Sequence, residues 1–207
     1  MEATCWSDYL CPWCYVGQDR SAQMEALGLT VVHRPYELHP EIPAEGRRIR
    51  PDGRLAPTFT RIAAACDEIG LPFRPPMRMP NTRRALETAA WVRVHHPASA
   101  GAVHAGLFDA HFAAGLAIDD ADVLDQIVAD AGGPADEVRA AIAAGAAGPL
   151  VDASMAEARS AGVSSTPTWV LEDGFAIPGA LDRATLARWI TKIVARRPAD
   201  PSSAPNA

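Results

Sequence analysis

Ala3-Thr4-Cys5-Trp6-Ser7-Asp8-Tyr9-Leu10-Cys11-Pro12-Trp13-Cys14 is the stretch on which the reading of the fold turns. Ala3 to Ser7 is a short strand candidate. From Cys11 to about Leu27 the chain reads as a helix, closed by Gly28 in the C′ position. Leu29-Thr30-Val31-Val32 then opens a β-branched strand that runs on to Tyr36. A strand–helix–strand unit of this length is a βαβ crossover, so the two strands are expected parallel and the connection right-handed.

Moving outward, residues 37–56 are rich in Pro, Gly and Arg and read as a loop. Phe59, Ile62, Ala63, Cys66 and Ile69 then recur at helical spacing, with Gly70 and Pro72 ending the element. Asn81 is a candidate N-cap for a helix that stops before Pro97, and further helices are expected over 100–114, 120–131, 135–144 and 149–161. Strands return at Thr168–Glu172 and Phe175–Ile177, where Asp173-Gly174 signals a type I′ hairpin. A last helix starts at Asp182 or Thr185, with Leu186, Trp189, Ile190, Ile193 and Val194 expected on its buried stripe. The order is β-α-β, a helical insertion, then β-β-α. It divides the chain into a discontinuous α/β unit, 1–56 and 162–197, a helical insertion, 57–161, and a Pro/Ser/Ala-rich tail, 198–207, expected to be disordered.

Composition narrows the function. Of 207 residues, 48% are hydrophobic and 21% charged, which excludes wholesale disorder. No apolar run approaches the ~18 residues that a membrane-spanning helix needs. A formal charge of −6 argues against a nucleic-acid partner gripped through its phosphates. The N-terminus has neither the basic nor the apolar region of a secretory signal, so a cytoplasmic location is expected. Four cysteines are too few and too unevenly spaced for a disulfide scaffold; in a reducing compartment the close pair Cys11/Cys14 points to catalysis or metal binding.

Cys11-Pro12-Trp13-Cys14 lies where a strand has ended and a helix begins. The first N–H groups of a helix lack intrahelical partners, and the helix dipole adds about half a positive charge there. Thiol pKa values in such settings fall from ~8.5 into roughly the 3.5–7.5 range. A thiol brought from ~8.5 to ~5.5 would favour the reduced pair by about 2 kcal/mol at pH 7, or roughly 45 mV. Pro12 suits the first helical turn, where a missing N–H costs nothing. Cys14, one turn on, is placed to attack a mixed disulfide at Cys11, so Cys11 is expected to be the exposed nucleophile and Cys14 the more buried resolving thiol. A structural zinc site would need two further ligands, and no His sits at a chelating offset from the pair. No metal site is expected. Cys5 and Cys66 read as strand and helix packing.

Thr166-Pro167, in Gly162-Val163-Ser164-Ser165-Thr166-Pro167-Thr168, admits two readings. It is either an ordinary proline entering a strand edge, or a cis proline that exposes the Thr166 backbone to an extended substrate beside the cysteines. Trp13 either offers substrate an apolar platform or covers the site. His95, His96, His104 and His111 read as surface or packing residues. The arginines 47, 48, 50 and 54 read as a solvated loop, with attraction for the carboxylates of a small thiol as the alternative. Tyr36, Glu37 and Asp182 are further candidates for approach to the site.

SDYLCPWCYVG, GVSSTPTWV, the Asp-Gly hairpin and the final helix resemble the thioredoxin-fold DsbA family. Within it the chain is most similar to the FrnE-like branch, near the 2-hydroxychromene-2-carboxylate isomerases and kappa-type glutathione transferases. RPYELHPEIP, IGLPFRPP and LFDAHFAAGLAIDDADVL fit as well, so the resemblance spans roughly residues 3–195. It implies a four-stranded mixed sheet with a helical insertion, a redox-active Cys11–Cys14 pair, substrate contacts from Pro12, Trp13, Thr166 and Pro167, and Pro167 as the cis proline. It implies no bound cofactor, although glutathione or mycothiol is a possible co-substrate; the partners are protein or small-molecule thiols and disulfides, and oligomeric state is left open. Two alternatives stand beside thiol–disulfide exchange: a small-thiol-dependent transferase or isomerase on the same fold, and a thiol redox sensor or metal-binding module. The isomerase and kappa-type relatives generally carry serine where this chain has Cys11, which favours redox chemistry. No second Cys pair lies downstream for a two-centre relay.

Overall fold

A computed structural model of the chain describes residues 1–50 and 52–195. The opening unit is the expected crossover: β1 (Glu2–Ser7), α1 (Pro12–Ala26) and β2 (Thr30–Pro35), with β1 and β2 parallel and Cys5 opposite His33. Gly28 ends α1 with φ +91°, a conformation that L side chains rarely adopt. β5 (Thr168–Leu171) lies antiparallel to the other side of β1, and β6 (Ala176–Pro178) antiparallel to β5. The order β2-β1-β5-β6 makes one mixed four-stranded sheet.

Strand alternation distributes the sheet between two cores. Ala3 and Cys5 of β1 turn towards α1 and the last helix, α8 (Arg183–Ala195), with Met24, Trp169, Leu186 and Ile190. Trp6 points the other way, onto Ala158 and Val163. Helices therefore cover both faces of the sheet. Between β2 and β5 the chain makes α2 (Ala56–Ile69), α3 (Arg83–His95), α4 (Pro97–Asp109), α5 (Ala121–Asp130), α6 (Ala135–Ala143) and α7 (Gly148–Ser160). These helices and the head of α1 share a third core, in which Cys66, Leu86, Phe108 and Phe112 are fully buried.

Several expectations need correction. The loop 37–56 contains a two-residue strand, β3 (Arg47–Arg48), paired with β4 (Arg78–Met79); a ladder this short has no periodicity for a sequence to display. Thr82, not Asn81, is the N-cap of α3, although the Asn81 carboxamide oxygen accepts the Arg83 N–H at 3.0 Å and serves the same turn. Pro97 begins α4 as well as following α3, and α4 runs into a π-helical turn over Ala110–Ala114. The Asp173-Gly174 turn is not type I′. Only Gly174 has a positive φ, and its N–H closes onto Leu171 C=O at 2.8 Å while Leu171 N–H meets Phe175 C=O at 3.0 Å. That is a type I turn with a bulge at the glycine, which asks for one left-handed residue and not two. On α8 only Leu186 and Ile190 are fully buried; Trp189 is exposed and meets Phe175 edge-on at 5.9 Å, and Val194 faces outward. α1 and the sheet cover only one side of the helix, so its covered stripe is narrower than its apolar one. The tail 198–207 lies outside the described residues.

Candidate active site

Ser7 ends β1, and the chain must turn before α1 can start. Asp8 makes that turn: its carbonyl accepts the Cys11 N–H at 3.1 Å, which sets Cys11 at the N-cap of α1 with Pro12 behind it. The Asp8 carboxylate folds inward and accepts the backbone N–H groups of Leu38, at 2.7 Å, and Leu10, at 3.3 Å. It is wholly buried. Burial raises its pKa to about 6, against the hydrogen bonds from Leu38, Thr82 and Leu10, and nearby Glu37 raises it further. Sequence reasoning missed this residue. The available signal was one charged side chain in the otherwise apolar run Trp6-Ser7-Asp8-Tyr9-Leu10 ahead of the cysteine pair.

Cys11 and Cys14 are not joined by a disulfide in this structure, and they sit one turn apart at the head of α1. Cys11 Sγ donates to the Thr166 carbonyl at 3.5 Å. The Thr166–Pro167 peptide is cis. Pro167 is buried against α1 at Gly17, where an added Cβ would meet the proline ring at 3.3 Å. This close approach of loop to helix corrects the expectation of an exposed Cys11: the residue is only 6% accessible, against 2% for Cys14. Trp13 is half-buried and packs on the same core as both cysteines, and Pro12 is half-buried beside it.

The two thiols are driven apart electrostatically. A hydrogen bond from the Cys14 thiol lowers the Cys11 pKa, against burial; the Thr166 hydroxyl and the Cys14 N–H lower it further, and Asp8 opposes them. The Thr166 hydroxyl is buried with no partner in the resting arrangement, so it is free to donate to a Cys11 thiolate. Cys14 moves the other way, raised by burial and by its role as donor to Cys11. The helix-terminal amides, first in the sequence argument, rank behind the neighbouring thiol, because the Cys14 N–H also serves the Cys11 carbonyl at 2.9 Å. Cys5 and Cys66 are fully buried and raised, Cys66 to about 11, each chiefly by desolvation. Both are packing residues.

The remaining candidates lie elsewhere. His111 is buried in the core and His104 stacks on His33, while His95 stacks on Trp91 and His96 bonds Glu137. Arg47, Arg48, Arg50 and Arg54 are exposed and bond neither cysteine. Tyr36 packs with Trp6, Glu37 bonds Arg83 and is felt by Asp8, and Asp182 accepts the Thr185 N–H at 2.9 Å to start α8. Among the described residues no group of three or more His, Cys, Asp or Glu converges as a metal site, and no helix is long and apolar enough to cross a membrane.

Comparison with known proteins agrees with this fold. The DSBA-like thioredoxin domain family matches residues 3–191. No curated protein matches the sequence. Among solved structures, a probable DsbA oxidoreductase from Streptomyces coelicolor superposes with a TM-score of 0.81 at 24% identity, over 96% of this chain and 92% of its own. A 2-hydroxychromene-2-carboxylate isomerase gives 0.78 at 21% identity, over 95% of this chain and 97% of its own. The cytosolic disulfide reductase DsbM from Pseudomonas aeruginosa, solved with GSH, gives 0.66 at 17% identity, over 95% and 98%. At these identities the likeness is one of fold.

Proposed function

The chain belongs to the DSBA-like thioredoxin domain family, and on that footing we propose that it is a thiol–disulfide oxidoreductase in which Cys11 is the nucleophile and Cys14 the resolving thiol. One observation carries the reading: the Cys11 sulfur lies 3.5 Å from the Thr166 carbonyl, beside a cis proline, with Cys14 one turn on at the head of the same helix. A Cys11 thiolate attacks one sulfur of a substrate disulfide; the S–S bond breaks and the departing thiolate keeps the electron pair. Cys14 then attacks Cys11 in the mixed disulfide, forming the Cys11–Cys14 bond and passing its proton to the second departing thiolate. Two electrons move from enzyme to substrate, and the same steps reversed oxidise a dithiol. Partner redox poise decides the direction.

The Thr166 backbone is the proposed docking edge for an extended substrate, with Pro12, Trp13 and Pro167 around it. Protein or small-molecule thiols and disulfides are the proposed partners, glutathione or mycothiol among them. A cytoplasmic location is part of the proposal, in line with the cytosolic disulfide reductase DsbM among the solved neighbours.

Thiolate absorbance followed against pH in wild type and Cys11→Ser tests the activation step. The expected result is a Cys11 titration well below ~8.5, and one at or above that value would refute the argument. A Cys14→Ser variant should accumulate mixed disulfides that mass spectrometry identifies. If that variant instead turns over a small-thiol adduct with no net redox change, the transferase or isomerase reading takes its place.

A further inference from the structure

A cavity of about 620 Å³ opens beside β2, between α1 and the helices α3 and α4. Neither cysteine lines it, nor does Pro167. Its size is that of small-molecule sites in general. Much of its wall is carbon, from Val31 of β2, Ala22 of α1 and Ala89 and Ala100 on the facing helices. The small residues of α3 and α4 leave the room; a Cβ built on Gly101, which also lines the cavity, would meet nothing within 4 Å.

Set in this apolar wall are polar groups that the protein leaves without partners. Among the described residues Arg93 of α3 has no hydrogen-bond or ion-pair partner; its Nε is buried, and the Glu157 carboxylate acts on it only from beyond ion-pair distance. The other guanidinium at the cavity, Arg34, is already engaged with Glu157 at 3.2 Å. His33 and His104 stack with ring centroids 4.0 Å apart, and the buried His33 Nδ1 and His104 Nε2 have no partner. Desolvation holds both imidazoles uncharged, taking His33 down to about 4. The Tyr9 hydroxyl lies 2.9 Å from His104 Nδ1; with that hydroxyl donating, Nε2 carries the ring hydrogen. So Arg34 and Arg93 share one carboxylate, Glu157, which leaves one positive charge unbalanced, and two neutral rings line the same cavity. Leaving a half-buried guanidinium unpaired is costly, and a carboxylate answers its planar fork with two parallel hydrogen bonds.

We propose that this cavity binds a small, largely apolar molecule carrying one carboxylate, anchored by Arg93 and flanked by His33 and His104. A single negative charge is indicated because, among the described residues, Arg93 is the one cation lining the cavity without an ion-pair partner, while Glu25 at the lining and Glu157 on Arg34 would repel a second. The proposal is independent of the thiol chemistry.

Calorimetric titration of the full chain with 2-naphthoate, and with its uncharged analogue 2-naphthamide, tests it. The acid should bind one site, at least tenfold more tightly than the amide. Arg93→Gln should weaken the acid at least tenfold and leave the amide unchanged. Gly101→Leu, which meets no atom at its Cβ and favours the helix, should exclude both probes, with circular dichroism and thermal melting confirming that each variant folds. Cys11→Ser should bind as wild type does. No saturable binding at millimolar acid, equal affinity for acid and amide, an unaltered Arg93→Gln or Gly101→Leu, or loss of binding in Cys11→Ser would each overturn the assignment.

Discussion

Asp8 is the charged group that the folded chain buries nearest in sequence to the dithiol, and its two faces do different work. Its carbonyl positions Cys11, while its carboxylate ties the β1–α1 turn to Leu38 and raises the Cys11 pKa from within the same core. Asp8→Asn therefore removes a negative charge, and Cys11 should titrate lower than in wild type, measured by thiolate absorbance. The same substitution has a signature in stability. Folding raises the Asp8 pKa from 3.8 to about 6, so in that interval the native state binds more protons than the unfolded one. The stabilisation is complete below about pH 4 and is lost as pH rises through about 6. Urea titrations should show the wild type losing up to about 3 kcal/mol relative to Asp8→Asn between those limits. A pH-independent difference would mean that Asp8 does not titrate on folding. At this scale the cysteine pair and Pro167 were legible in the sequence as motifs. Asp8 was legible only as a lone charge ahead of the cysteine pair; its burial was not, because that waits on Leu38, distant in sequence, coming to cover it.

At the scale of elements, the contact between α1 and the Thr166–Pro167 loop decides the site. Gly17 makes it possible: a Cβ there would meet both Pro167 and the Trp169 ring at 3.3 Å, neither of them at the end of a flexible chain. Gly17→Val should cost about 1–3 kcal/mol by overpacking. It should also slow mixed-disulfide formation by moving the Thr166 carbonyl off Cys11. Thermal melts and stopped-flow thiol exchange measure the two effects, and an unchanged exchange rate would separate the loop from the chemistry. Most elements were legible, since Pro, Gly and apolar periodicity act locally. Those misjudged depend on what lies opposite. The outward Trp189 reflects that α8 is covered on one side only, and the single left-handed residue at Asp173-Gly174 reflects how β5 and β6 meet.

On the scale of the whole molecule, Arg83 joins pieces of chain that the sequence keeps apart. From α3 it reaches Glu37 beyond β2, Glu87 one turn on, and both Gly148 C=O and Asp152 of α7. Its pKa is raised by these partners, in spite of desolvation. Arg83→Met should destabilise the fold by about 1–2 kcal/mol, a range limited by partial exposure, and the difference should shrink in high salt. Equal chemical denaturation curves for variant and wild type would remove the network from the account of stability. Such a network, like the cavity beside β2, has no sequence signature, because its members are drawn from three separate segments. By itself the amino-acid order determined the crossover, the strand–helix junction that seats Cys11 and Cys14, and the helical run between β2 and β5, all of which follow from local conformational preference and spacing. Only the tertiary structure decided that Cys11 is covered, that Thr166 faces it, that Asp8 is buried and that Arg93 has no direct partner among the described residues. Each of these depends on the desolvation and proximity of residues far apart along the chain, and those arise only when the sheet and helices close on one another.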